Sequence, residues 1–375
     1  MISTIVDNGQ CTGCMKCQYL CKVGAITFKN NEEGFLIPIV DNKSCISCGN
    51  CLKNCSVNDV LKKEPVKILA ARNKDANYLE KCSSGAIFPA LARYVFEKNG
   101  KVIATQMNEQ GDLEFAVAEN MNQISNMLGS KYVQSYIGKN YSVIEKLLSE
   151  GIVILFVGTP CQVNAVRGLF GSVENLILVD LVCHGVPSPR VWSDYISIIQ
   201  NKYGKKIRNI NFRDKANGWN SSFASAYIDK KKISLQNYMM LYGVEAMIRE
   251  SCYQCQFTTL QRCSDLTIGD FWGIEQILPK WFNNKLGTSM ILLNTDKGKV
   301  VVKGIEAYID MEEITGSVQL QLNLRQPTRR PKCRDEFWRM YREQGIISIL
   351  KRYGGWGIYG RIRKLLGKIK RAIFH

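Results

Sequence analysis

The sequence predicts three parts in order: a small α+β domain over residues 1–62, an α/β domain with a largely parallel sheet over 75–320, and a basic helical tail over 325–375. Three observations predict this. A cysteine pattern near the start is repeated, strand-length apolar runs later flank a helix-length run, and positive charge gathers at the end. With 375 residues, 46% of them hydrophobic and 10% aromatic, the chain can bury a substantial core and divide into a small and a large domain.

The first part rests on CTGCMKCQYLC at 11–21 and CISCGNCLKNC at 45–55, in which every cysteine recurs at an offset of 34. Each copy is C-x2-C-x2-C-x3-C. Three cysteines on one tight turn suit one face of a cubane, and the fourth points to the other cluster. Cys11, Cys14, Cys17 and Cys55 are therefore expected to hold one 4Fe-4S cluster, and Cys45, Cys48, Cys51 and Cys21 a second. Zinc is the rival ligand, but zinc sites take their thiolates as two separated pairs, not as a triple plus one. Between the copies, AITFKNNEEGFLIPIV reads as two short strands joined by a polar turn at residues 30–34. These features resemble bacterial-type dicluster ferredoxins, over roughly residues 1–60. Lys22 and Ser56 stand where that motif carries proline, which bears on solvent access and potential and removes no ligand.

The chain holds fifteen cysteines, yet MISTIVDNGQ has neither a basic n-region nor an apolar h-region, so a cytoplasmic location and metal-ligating thiols are expected, not disulfides. GIVILFVG and LILVDLVC have buried-strand length, well short of the roughly 18 apolar residues of a membrane span.

The second part follows a Lys-rich passage after Cys55. Ser83-Ser84-Gly85, ahead of the periodic Ile87, Leu91, Ala92 and Val95, reads as a helix N-terminus able to hold an anion such as a pyrophosphate, or as an ordinary cap. GIVILFVG, TPCQVNAVRGLFG and NLILVDLVCHG read as strand, helix, strand, with both strands apolar throughout as in a sheet covered on both faces. In such sheets ligands bind beyond the carboxyl ends of the strands. Cys161 and Cys183 lie at those ends, and Cys252 and Cys255 form a C-x2-C pair further on. Together they make four ligands, enough for a third 4Fe-4S cluster. The bland alternative is that Cys161 and Cys183 are small buried hydrophobes and that the pair binds zinc or nothing. Cys263 is a substitute ligand, while Cys82 and Cys333 read as inert.

CSSGAIF at 82–88, GSKYVQS at 129–135, GTPCQ at 158–162, CHGVPSP at 183–189, FRDKANGW at 212–219, SCYQCQF at 251–257, IGDFWG at 268–273 and LGTSMILLNT at 286–295 occur in this order. Together they resemble the beta subunit family of coenzyme F420 hydrogenase and dehydrogenase, iron-sulfur flavoproteins, over roughly residues 1–300. The resemblance implies an oxidoreductase with FAD beside a cluster, exchanging electrons with a redox partner protein or ferredoxin and with a small-molecule hydride donor or acceptor. It implies flavin contacts from Ser83, Ser84 and Gly85, from Ser130, Lys131, Gln134 and Ser135, and from Gly287, Thr288 and Ser289. Ala86 replaces a second glycine often seen in the first loop. Lys131 is alternatively a solvated surface lysine; Asp270 and His184 read as structural, with ordering of the cluster or flavin surroundings the rival role for Asp270 and proton transfer that for His184. A non-catalytic electron-transfer subunit is the alternative function. Substrate and catalytic residues are not named by these patterns.

The third part is basic: from Arg325 onward fifteen Lys or Arg face three Asp or Glu, within a net charge of +17. No nucleic-acid-reading pattern accompanies this charge, so no specific nucleic acid is expected. Ile362, Leu365, Leu366, Ile369 and Ile373 form one apolar stripe in RIRKLLGKIKRAIFH. Such a helix suits peripheral contact with an anionic inner membrane face, or docking on its parent domain.

Overall fold

The structure, a computed structural model, describes residues 2–60, 65, 67–108, 111–315 and 321–357. The basic stripe from Ile362 lies outside the described residues.

Strands β1 (Ile26–Asn30) and β2 (Leu36–Val40) pair antiparallel, as the spacing between the cysteine groups predicts. The core of this unit is only Ile2, Ile5, Cys17 and Ile26, packed against further cysteines. So small an apolar centre needs the clusters to complete it.

The large domain is an eight-stranded sheet. Its strands are β3 (Lys67–Asn73), β4 (Lys101–Met107), β5 (Leu113–Ala118), β6 (Ile154–Gly158) and β7 (Leu176–Leu181), completed later in the chain. The short strands β8 (Arg208–Asn211), β9 (Ser225–Ile228) and β10 (Lys231–Ser234) form a separate antiparallel sheet. Then β11 (Leu266–Asp270), β12 (Ser289–Leu293) and β13 (Ile309–Glu313) complete the large one, whose order is β13-β3-β12-β11-β7-β6-β4-β5. The expectation of a largely parallel sheet holds for its centre only. β11, β7, β6 and β4 run parallel, while β5, β12, β3 and β13 pair antiparallel with their neighbours. Central strands need helical crossovers on both faces, whereas the outer ones do not.

β6 shows why its run is uniformly apolar. Leu155 and Val157 face the helix Ile87–Phe96 on one side, and Ile154 and Phe156 face the helices Asn140–Ser149 and Pro160–Phe170 on the other. Because β3 belongs to this sheet, the large domain starts at Lys67, ahead of the expected residue 75. The helices Arg334–Gln344 and Ile346–Arg352 also belong to the body, burying Phe337, Trp338, Tyr341, Ile349 and Leu350 against Trp192, Tyr195 and Tyr238. A tail beginning at Arg325 is thus not what these residues form.

Candidate functional site

β6 ends at Gly158, and Thr159 opens the next helix, its backbone N–H donating to Oε1 of Gln162 at 2.9 Å. Pro160 takes the first helical position, where its missing N–H costs nothing, and Cys161 takes the second. Cys183 follows β7 by two residues. The segment after it lies against Ile248: Arg249 N–H donates to Val186 O at 3.0 Å and Ser188 N–H to Met247 O at 3.0 Å. Gly185 permits this approach, since a Cβ there would stand 2.7 Å from Cδ1 of Ile248, at a φ of +127°. The result brings Cys183 beside the 3-10 turn Glu250–Gln254, which carries Cys252 and precedes Cys255.

Cys161, Cys183, Cys252 and Cys255 line one partly open cavity. Burial, together with the neighbouring thiols, pushes the Cys161 thiol well up, Cys183 up to about 11 and Cys252 up to about 12; burial also raises Cys255. Among the described residues no three His, Cys, Asp or Glu are arranged to hold a single metal ion. A set of four thiols with no other donor suits a 4Fe-4S cluster, in which each thiolate binds its own iron. Arg262 also lines the cavity; it is 2% exposed, its nitrogens have no hydrogen-bond acceptor among the described residues, and its ionic partner Asp180 is 3.6 Å away. Such a guanidinium suits a cavity that receives an anionic group.

The dicluster domain docks at this cavity by its first cysteine group. Gln10, Thr12 and Val57 help line it. Tyr141 OH donates to Cys14 O at 2.7 Å, and Asn164 Nδ2 donates to Ser56 O at 3.0 Å and Asp59 O at 2.8 Å. Cys11, Cys14, Cys17 and Cys55 lie close enough to act on one another electrostatically, and Cys51 of the second group also acts on Cys17. Lys16, 2% exposed, lies beside Cys14 and Cys55 and over Gly168, where a Cβ would meet its Nζ at 2.5 Å. The second group faces outward: Cys48 is exposed, and Ile46 is 67% and Val23 44% exposed.

Eight of the ten expected flavin contacts form one neighbourhood. Ser83 Oγ accepts from Ser130 N–H at 2.7 Å, Ser84 Oγ donates to Thr288 O at 2.8 Å, and Gly85 N–H donates to Ser289 Oγ at 2.9 Å. None of these groups caps the helix Ile87–Phe96, whose first cap is Ala86 in the left-handed region at φ 57°. Lys131 Nζ donates to the carbonyls of Met127, Leu128 and Gly129, so it is not a solvated surface lysine, and burial pushes its pKa down to about 8. Gly287 turns at φ +77° against Trp219. Gln134 and Ser135 part from this group. Gln134 Nε2 donates to Thr12 O at 2.9 Å, and the Ser135 hydroxyl lies 2.9 Å from that of Thr105.

Asp270 accepts from Trp219 Nε1 at 2.6 Å and from Arg213 Nη1 at 3.3 Å. His184 bonds Glu245 at 2.6 Å on the cavity rim. Cys263 is buried in the core beneath β6 and β7 and does not line the cavity; Cys82 is buried beside Leu79 and Ala86, and Cys333 packs at the edge of the Trp338 core.

Sequence reasoning missed Lys215, whose Nζ donates to the carbonyls of Leu79, Ser84 and Leu286 and so ties both halves of the Ser84 neighbourhood together. It also missed Arg249 and Arg262. All three stand in or beside FRDKANGW and SCYQCQF, and a motif flank was the one available signal.

This geometry defines an iron-sulfur protein, a dicluster domain seated on an α/β domain. Residues 10–58 match the 4Fe-4S dicluster domain, and residues 153–317 match the family described as the C terminus of the coenzyme F420 hydrogenase/dehydrogenase beta subunit. The coenzyme F420 hydrogenase subunit beta of Methanococcus voltae is 24% identical over 255 residues, 64% of this chain and 81% of that protein. A chain of the F420-reducing [NiFe] hydrogenase complex from Methanosarcina barkeri superposes with a TM-score of 0.48 at 17% identity, over 77% of this chain and 91% of its own. Over residues 153–317 the chain is thus similar to the coenzyme F420 hydrogenase/dehydrogenase beta subunits, and over residues 10–58 it matches a dicluster domain. Among the described residues no helix is long and apolar enough to cross a membrane.

Proposed function

We propose that this chain is an iron-sulfur flavoprotein oxidoreductase in which the dicluster domain exchanges single electrons with a third 4Fe-4S cluster, and that cluster with FAD. The observation that carries the reading is the convergence of Cys161, Cys183, Cys252 and Cys255 on one cavity at the edge of the dicluster domain. Cys11, Cys14, Cys17 and Cys55 form the inner dicluster site, and Cys21, Cys45, Cys48 and Cys51 the outer one, so electrons enter or leave at the exposed Cys48 end.

FAD fits the Ser84 neighbourhood. Lys131 and Lys215 each bond three neutral carbonyls there and no carboxylate, so they set positive charge beside the loop that suits a pyrophosphate. When bound, a flavin exchanges hydride with an organic partner and single electrons with a cluster. The protein's share is to hold the pyrophosphate with Ser83, Ser84, Lys131 and Lys215, and to keep the loop rigid through Ser130, Thr288 and Ser289. The name of the Methanococcus voltae relative makes coenzyme F420 the first hydride partner to assay.

The second reading is a relay protein without an organic substrate. It is favoured by the internal hydrogen bonds that already satisfy the Ser84 loop. Anaerobic purification with iron, sulfide and flavin quantitation separates the two. About twelve irons and one FAD per chain are expected, and Cys252→Ser should lower the iron by about four. About eight irons, unchanged by that substitution, would remove the third cluster; three clusters without flavin would leave the relay.

A further inference from the structure

We infer that Arg249 couples the Cys11 cluster to the cluster held by Cys161, Cys183, Cys252 and Cys255, fixing their juxtaposition and biasing their shared electron toward the Cys11 side. The inference rests on the third-cluster reading above.

Arg249 stands between the two sites and is bonded toward both. Its Nε donates to Cys11 O at 2.6 Å and its Nη2 donates to Cys11 Sγ at 3.5 Å and to Leu36 O at 2.9 Å. Its Nη1 donates to Gln134 Oε1 at 3.1 Å, and Gln134 donates in turn to Thr12 O. From the other side, Cys252 N–H donates to Arg249 O at 2.9 Å, and Arg249 itself lines the four-cysteine cavity. One residue therefore touches a ligand of each cluster. The turn that receives it is bare by necessity: at Gly13, φ +71°, a Cβ would stand 2.8 Å from Nη1.

A guanidinium remains charged at every working pH, so the coupling does not titrate away. Charge and hydrogen bonds to cluster sulfurs raise a cluster's potential. The effect is unequal. The Arg249 guanidinium itself bonds Cys11, at its carbonyl and its Sγ, whereas Cys252 meets only the backbone carbonyl of Arg249. The electron held between the two sites is thereby favoured on the Cys11 cluster. Transfer in either direction oxidises one cluster by one electron and reduces the other by one, with no proton or further reactant.

The test uses the full chain, loaded with its clusters, under oxygen-free conditions. Wild type, Arg249→Gln and Arg249→Lys are compared by iron content and by reductive titration followed by EPR, with Cys252→Ser assigning the signals. In Arg249→Gln the ratio of reduced Cys11 cluster to reduced third cluster should fall about tenfold, equivalent to about 59 mV for one electron. Arg249→Lys, which keeps the charge, should restore most of that ratio. Full iron with an unchanged ratio in Arg249→Gln overturns the inference while leaving the third cluster standing. About eight irons in the wild type overturns both. Should Arg249→Gln lose its iron, Arg249→Lys decides: full iron with the wild-type ratio supports the inference, and a lost cluster or a tenfold fall overturns it.

Discussion

Arg334 clasps Glu33 through two guanidinium nitrogens, each 2.6 Å from a carboxylate oxygen. Glu33 sits in the turn between β1 and β2, and Arg334 opens a helix of the main body, so this bidentate pair locks the dicluster hairpin onto the far end of the chain. The same guanidinium lies over the rings of Tyr253 and Trp338, and it is only 3% exposed. Removing this carboxylate leaves the buried cation only Glu250, whose Oε2 lies 3.1 Å from its Nε. Glu33→Ala should therefore cost about 2 kcal/mol, below the range for a fully buried pair because Glu33 is partly exposed. Urea denaturation reads the loss, and a change of less than about 0.5 kcal/mol would place the docking energy elsewhere.

Gly85→Ala should separate the two cofactor regions. A Cβ there would stand 2.4 Å from Ala71 O and 2.7 Å from Ser289 N, both rigid backbone of the sheet. Overpacking of this kind costs about 1–3 kcal/mol and shifts the loop it strikes. The flavin-to-iron ratio should fall severalfold while iron content holds. Equal retention of both would detach the flavin from the Ser84 loop.

Lys215 supplies a pH test. Burial pushes its pKa down to about 8 from 10.5, so folding disfavours the charged amine relative to the unfolded chain. Below about 8 the group is charged in both states and folding bears the full desolvation cost; between 8 and 10.5 the unfolded chain binds more protons, and stability rises with pH. In flavin-free protein, wild type should gain about 2 kcal/mol relative to Lys215→Met across that window, a figure reduced for the residue's partial exposure. A flat difference between the two proteins would contradict a buried Lys215.

Ile46 and Cys48 are exposed in the outer cysteine group, Lys43 and Lys53 are exposed on the same stretch of chain, and Val23 and Lys22 are exposed beside Cys21. Exposed apolar and basic residues on this half suit a negatively charged electron carrier. Ile46→Glu should slow reduction by an acidic ferredoxin at least about tenfold at low salt, with iron content and reduction by a small viologen unchanged. Stopped-flow absorbance measures both rates. Equal slowing of the viologen would point to cluster damage instead.

The readable parts of this molecule were those whose chemistry repeats or alternates. The duplicated cysteines announced the dicluster domain, and the all-apolar β6 and β7 announced a sheet covered on both faces, which placed Cys161 and Cys183 at one edge. The outer strands were harder: β3 and β13 join the sheet across more than two hundred residues, and their sequences carry no mark of a partner. The arginines were hidden for a related reason. Among 50 Lys and Arg, nothing local tells Arg249 from a solvated neighbour, because its meaning lies in Cys11 and Leu36, which only folding brings near. Gln134 was misplaced likewise: its segment borders the Ser84 loop through Ser130, yet its side chain faces the other way, toward Thr12.

The duplication at an offset of 34 produced two chemically alike halves, and docking made them unlike: Cys17 is buried and Cys48 is open to solvent. A solvent-borne oxidant can therefore reach the half around Cys48 directly, and oxidative loss of iron is expected to begin there.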